Sequence, residues 1–228
     1  MAYLTERERL TVASMLEPMI RPITWHVSVI PDDPRSDRCV ELARELQSLN
    51  PESIAVRVDI EAPTESTVDD RVQRFPRWKL FDEKGKEAGF CFLGMPSGYQ
   101  FASVLNAMID VSRSRILVEP RTYLWCQRLE RSVILLVVVT PTCPHSPRMV
   151  ALSQRMALAN PRRLAAVIVD ASSFPDWADS LGVREVPWLQ AAFAGDPRPA
   201  LNVLGTVSER QLLEQLSVWY EARNISEV

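Results

Sequence analysis

Short, dense apolar runs alternate along this chain with longer stretches in which apolar residues recur every three or four positions. The densest run, SVILLVVV (132–139), has the continuous, β-branched character of a strand buried on both faces. LAAVIVD (164–170) reads the same way, and VPWLQAAF (186–193) and ALNVLG (200–205) follow as a third and a fourth strand. Helical spacing fills the gaps. Pro144 sits just after Cys143, a good first-turn position, and Pro147 still falls within that turn, where a missing N–H costs little. Met149, Val150, Leu152, Met156 and Leu158 carry this helix to Asn160-Pro161. FPDWADSLG (174–182) reads as a short helix ended by Gly182, and SERQLLEQLSVWYEA (208–222) as an amphipathic helix capped by Ser208. EPRTYLWCQRLE (119–130) predicts a further helix ahead of the first strand. After that leading helix the order is β-α-β-α-β-β-α. A strand–helix–strand unit gives a parallel pair by a right-handed crossover, and the last two strands form a hairpin, so the sheet is mixed.

The first half of the chain repeats this order. Strands are expected at 24–30, 54–60, 77–82 and 87–94, with helices near 34–49 and 97–112 and the turn EKGK between the last two strands. A leading helix starts at TERE (5–8), which has the spacing of a capping box. The polar segment 61–75 reads partly as loop. The two halves also align residue by residue. Pro31, Pro34, Ser36, Arg38 and Asn50-Pro51 fall on Pro141, Pro144, Ser146, Arg148 and Asn160-Pro161. After one extra residue in the second copy, Asp59, Pro76, Gly94 and Ser97 fall on Asp170, Pro187, Gly205 and Ser208. The expected architecture is therefore α/β, with two tandem units, 1–115 and 116–228, each a mixed β-sheet flanked by helices.

Composition narrows the function. The 228 residues are 46% hydrophobic and 24% charged, with a formal net charge of −3, so no basic excess points to nucleic acid. The longest apolar run, Val133 to Val139, is far short of the roughly 20 residues a membrane-spanning helix needs, so no membrane is expected. The start, MAYLTERERL, is charged where a signal peptide is apolar, which predicts a cytoplasmic protein. Four cysteines (Cys39, Cys91, Cys126 and Cys143) are too few for a disulfide scaffold and none has Cys-x-x-Cys spacing, so no metal site is expected. Cys39, Cys91 and Cys126 read as buried small hydrophobes. His26 lies within a strand pattern and reads as structural, while Trp78 and Trp188 fall on or beside the third strands.

Cys143 is different. It stands in TPTCPHSPR (140–148), at the junction of a buried strand and a helix. A thiolate there faces the positive end of the helix dipole and free backbone N–H groups, which favours the nucleophilic form. The first copy has Asp33-Pro34-Arg35-Ser36 where the second has Cys143-Pro144-His145-Ser146. The serine is shared, and the cysteine sets the second copy apart.

A strand, Cys-Pro-x-x, a helix and then Val186-Pro187 opening the third strand resemble the thioredoxin fold. Two such units, each with a leading helix, are similar to the glutaredoxin-like protein disulfide oxidoreductases and to the N-terminal domain of the flavoprotein subunit of alkyl hydroperoxide reductase. FLGMPSGYQFASVLNAM (92–108) resembles the end of the first unit in that group, and ALANP (157–161) resembles the end of its second active-site helix. The resemblance implies a cis peptide before Pro187, placing it beside the Cys143 sulfur, and a Val186 backbone free to pair with an extended substrate. In the family the second unit carries Cys-x-x-Cys; here Ser146 replaces the second cysteine. No G-x-G-x-x-G for a flavin occurs, and Pro144-His145 does not match the motif of cluster-binding monothiol glutaredoxins.

A dithiol site attacks a disulfide with one sulfur and resolves the mixed disulfide with the other. Ser146 cannot take the second role. The candidate site is thus a monothiol one: Cys143 as nucleophile, Pro144, His145 and Ser146 around it, and Val186 and Pro187 at the substrate. It needs no cofactor. Glutathione, another cysteine of this chain, or a second protein such as a protein thiol or a flavoprotein reductase would release the bound partner. A thioredoxin-fold adaptor without catalysis is the alternative.

Overall fold

The computed structural model describes residues 3–61, 74–196 and 200–224. The first half contains α1 (Glu6–Leu16), β1 (Ile23–Val29), α2 (Pro34–Leu49), β2 (Ile54–Ile60), β3 (Arg77–Phe81), β4 (Glu87–Leu93) and α3 (Tyr99–Ser112). The second contains α4 (Pro120–Gln127), β5 (Val133–Val139), α5 (Ser146–Ala159), β6 (Leu164–Asp170), α6 (Pro175–Ser180), β7 (Trp188–Phe193), β8 (Leu201–Leu204) and α7 (Glu209–Asn224). Most of the polar segment read as loop, and part of the turn after β7, lie outside the described residues.

Local sequence explains the ends of the elements. Thr5 and Glu8 form the expected capping box: the Glu8 carboxylate accepts from the Thr5 backbone N–H at 2.8 Å and from its hydroxyl at 2.7 Å. Asp33 caps α2, its carboxylate accepting from Arg35 N–H at 3.4 Å and Ser36 N–H at 3.2 Å, with Pro34 next in line. The Ser36 hydroxyl and the Arg35 guanidinium also donate to this carboxylate, at 2.9 and 3.0 Å. Burial opposes ionisation of Asp33, but these donors outweigh it and hold the carboxyl below its ordinary range. Asp33→Ala should therefore cost about 1 kcal/mol at neutral pH, read as a lowered urea midpoint. Because the folded-state carboxyl is the more acidic one, that contribution is present above the ordinary carboxylate range and fades as pH falls through the folded value.

The strands join in one sheet in the order β2-β1-β3-β4-β6-β5-β7-β8. Each half has the same internal order, and β4 pairs with β6 in parallel to join them. Strand β5 is buried on both faces, as its sequence predicts: Leu135, Val137 and Val139 pack into a core that runs through both units, while Leu136 and Val138 pack on the other side. There Trp177 and Ala178 of α6 cover them, with Cys91, Leu93, Val167 and Val169. In the first unit Trp25 and Trp78 meet at 4.3 Å between ring centroids inside the shared core.

The seam between the halves is close and partly ionic. Gly89 of β4 lies so near Pro161 that a Cβ there would come within 2.7 Å of it. Across α3 and α5, buried Asp110 accepts from Arg155 at 3.2 Å and from Arg115 at 2.8 Å. Strand pairing also corrects one detail of the repeat. Val29 is opposite Ile60 and Val139 is opposite Asp170, so Ile60 holds the place of Asp170. Asp59 lies one position earlier, and the extra residue of the second copy falls after the second strand rather than before it. Asp59 instead faces His26 at 3.4 Å, and that imidazole also packs on Phe81.

Candidate functional site

Cys143 follows β5 at its carboxyl end, in a turn where its own N–H donates to the Thr140 carbonyl at 3.3 Å. Its side chain is half-buried, and its thiol donates to the Val186 carbonyl at 3.5 Å. The Val186–Pro187 peptide is cis, as the resemblance implies, and so is Phe75–Pro76 at the matching place in the first unit. The structure thus brings Cys143, Val186 and Pro187 together, although the motif and the proline are far apart in sequence.

The helix after Cys143 departs from expectation. It begins at Ser146, not Pro144, with His145 as its cap residue. In the first unit α2 begins at Pro34 directly after Asp33, because the Asp33 carbonyl accepts from the Asp37 N–H at 3.2 Å. The residue at the Asp37 position in the second copy is Pro147, which has no N–H to give the Cys143 carbonyl. The first helical bond is lost, so Cys143 stands ahead of the helix rather than at its cap.

His145 is exposed, and its carbonyl accepts from the Thr206 hydroxyl at 3.4 Å. Pro144 is exposed beside it. Ser146 is fully buried, and its hydroxyl has no hydrogen-bond partner among the described residues. Its counterpart Ser36 is satisfied by the Asp33 carboxylate. Exchanging Asp33 for Cys143 removes that acceptor, and the sulfur turns to Val186 instead.

The other thiols are out of reach of solvent. Cys39, Cys91 and Cys126 are each less than 5% exposed, and burial pushes them up to about 12, 11 and 12 respectively. Ellman's reagent should therefore titrate one thiol in the native protein at neutral pH and all four after unfolding. A second fast-reacting thiol in the native state would show the packing to be looser than described.

Sequence reasoning missed what holds the Cys143 turn from the other unit. Tyr99 N–H donates to the Pro141 carbonyl at 3.0 Å, and the Gln100 side-chain amide donates to the Thr140 carbonyl at 3.3 Å. Gly98 packs directly on Pro141. Among the described residues no three His, Cys, Asp or Glu side chains converge as a metal site, and no helix is long and apolar enough to cross a membrane.

Fold and site together define a tandem thioredoxin-fold protein with one site cysteine. Solved structures agree on the fold. The alkylhydroperoxide reductase AhpF of Enterococcus faecalis superposes with a TM-score of 0.78 at 21% identity, covering 94% of this chain and 99% of that one. A protein disulfide oxidoreductase from Aeropyrum pernix superposes at 0.77, also at 21% identity, covering 96% and 94%. A curated relative described as an NADH dehydrogenase, from Ferdinandcohnia aciditolerans, is 23% identical over 116 residues; that match spans 51% of this chain and 22% of the relative. The sequence matches no protein-family model.

Proposed function

We propose that this protein performs monothiol thiol–disulfide exchange, with Cys143 forming mixed disulfides with a protein or with glutathione. The observation that carries this reading is a single accessible thiol beside the cis Val186–Pro187 peptide, with a serine where a resolving cysteine would stand. The structural neighbours include a protein disulfide oxidoreductase of the same tandem fold, which supports the reading at the level of the superfamily.

The chemistry runs in two exchanges. The Cys143 thiolate attacks one sulfur of a disulfide; the S–S bond breaks, the second sulfur leaves as a thiolate and takes up a proton, and Cys143 stays joined to the first. A second thiolate from outside then attacks that mixed disulfide and frees Cys143. The buried cysteines cannot serve in the folded protein, so glutathione, a protein thiol or a flavoprotein reductase must. That requirement suits the cytoplasm, where a glutathione pool is at hand. Pro144, His145 and Ser146 shape the thiol's surroundings, and Val186 offers backbone to an extended partner.

Incubation with glutathione disulfide, followed by intact-mass analysis, tests this. One glutathione adduct on Cys143, absent in Cys143→Ala and reversed by reduced glutathione, is the expected result. No adduct on native protein would overturn it. One observation favours the adaptor reading: α5 starts at Ser146, which takes Cys143 off the helix end. An adaptor would keep its partners in Cys143→Ala, whereas covalent capture would be lost completely.

A further inference from the structure

We infer that the first unit positions the thiol of the second, and that Gln100 is a positioning residue for Cys143. The inference rests on the reading of Cys143 as the reacting thiol. The first unit has Asp33 in the thiol's place, yet its β4–α3 segment reaches the turn that carries Cys143. Three contacts lie side by side there. The Gln100 amide donates to the Thr140 carbonyl at 3.3 Å, the same carbonyl that accepts the Cys143 N–H at 3.3 Å. The Tyr99 N–H donates to the next carbonyl, Pro141, at 3.0 Å. Gly98 lies against Pro141 so closely that a Cβ would overlap its carbonyl oxygen, and its φ of +54° is one that glycine tolerates. No other residue type fits that contact without moving the turn.

The burial of Gln100 shows that this grip is not a chance surface contact. The side chain is fully buried, and its amide oxygen has no partner among the described residues. A buried amide with an orphaned oxygen is a net liability for stability. Here its nitrogen is directed at the backbone that fixes Cys143. Thr140 thus holds two donors, one from each unit, and through them the first unit sets the angle at which the Cys143 sulfur meets Val186.

Gln100→Met keeps the volume, removes the donor and also removes the orphaned oxygen. Global stability should be unchanged or slightly higher, which separates positioning from folding. The readout is local. Amide exchange of Cys143 should quicken by about two- to tenfold, the span of one hydrogen bond, and the Thr140 carbonyl carbon resonance should move upfield as it loses a donor. Ser103→Ala, which removes a buried hydroxyl on the same helix without a link to the turn, should change neither. Unaltered exchange and carbonyl resonance in Gln100→Met would overturn the inference; Gln100→Leu serves if methionine is not accommodated. Iodoacetamide labelling of Cys143 in the parent protein is measured alongside. If that thiol is inert while exchange still responds to Gln100→Met, the exchange function fails and the positioning stands.

Discussion

Ser146→Cys is expected to give the site a resolving thiol and to raise insulin-disulfide reduction from background to measurable turnover. Ser146 is fully buried and its hydroxyl is unsatisfied. A thiol of nearly the same size loses nothing there, since sulfur tolerates an apolar site better than an orphaned hydroxyl. The introduced thiol would lie at the start of α5, three residues after Cys143, so the mixed disulfide would be resolved within the chain instead of waiting for an outside thiol. To reach it the Cys143 sulfur must leave the Val186 carbonyl, 3.5 Å away. If the variant is as inactive as the parent, that rotation is blocked and the non-catalytic reading gains.

Asp110→Ala is expected to give the second large effect, a loss of about 2 kcal/mol in urea unfolding. Its carboxylate is 7% exposed and holds Arg115 of its own unit and Arg155 of the other. Removing one member of a buried ionic group costs about 3–5 kcal/mol when the charge left behind is sealed in. Here the arginines are 44% and 31% exposed and can turn to water, which lowers the figure. A loss below about 0.5 kcal/mol would show that the β4–β6 pairing and the shared core hold the halves together without help from this ionic cluster.

The fold was legible because the central strands of the second unit, β5 and β6, are dense apolar runs, most helices are periodic, and the first unit repeats the same order with more alternating strands. The order of elements and the three buried cysteines follow from residues that local physics constrains, and the resemblance implied the cis peptide before Pro187, whereas the one before Pro76 came from the structure. The helix start at Ser146 was open to misreading. Pro144 alone favours a helix from that point, and only the absent N–H of Pro147, taken with the carbonyl it would have served, moves the start onward. Gln100 was hidden for another reason. Ser97 and Gln100 have the same spacing as Ser208 and Gln211, and in the second unit that pair closes on itself, the Gln211 side chain accepting from Ser208 N–H at 2.9 Å. The identical spacing suggests a local cap in the first unit too. Gly98 caps α3 there without a side-chain bond, and Gln100 is free to reach across to Thr140.

The seam pair Asp110–Arg155 also sets how far this architecture extends. Two like units stacked edge to edge have, in principle, no reason to stop at two, because β8 and α7 repeat the parts that β4 and α3 use to hold their neighbour. The charges supply the reason. Where α3 offers Asp110, α7 has Glu221; where α5 answers with Arg155, α2 has Glu45. The Glu45 side chain is 8% exposed and already held by Arg9 and by the Tyr3 and Leu4 N–H groups, so no arginine waits at that outer end to receive Glu221, and the attraction that closes the pair has no counterpart there.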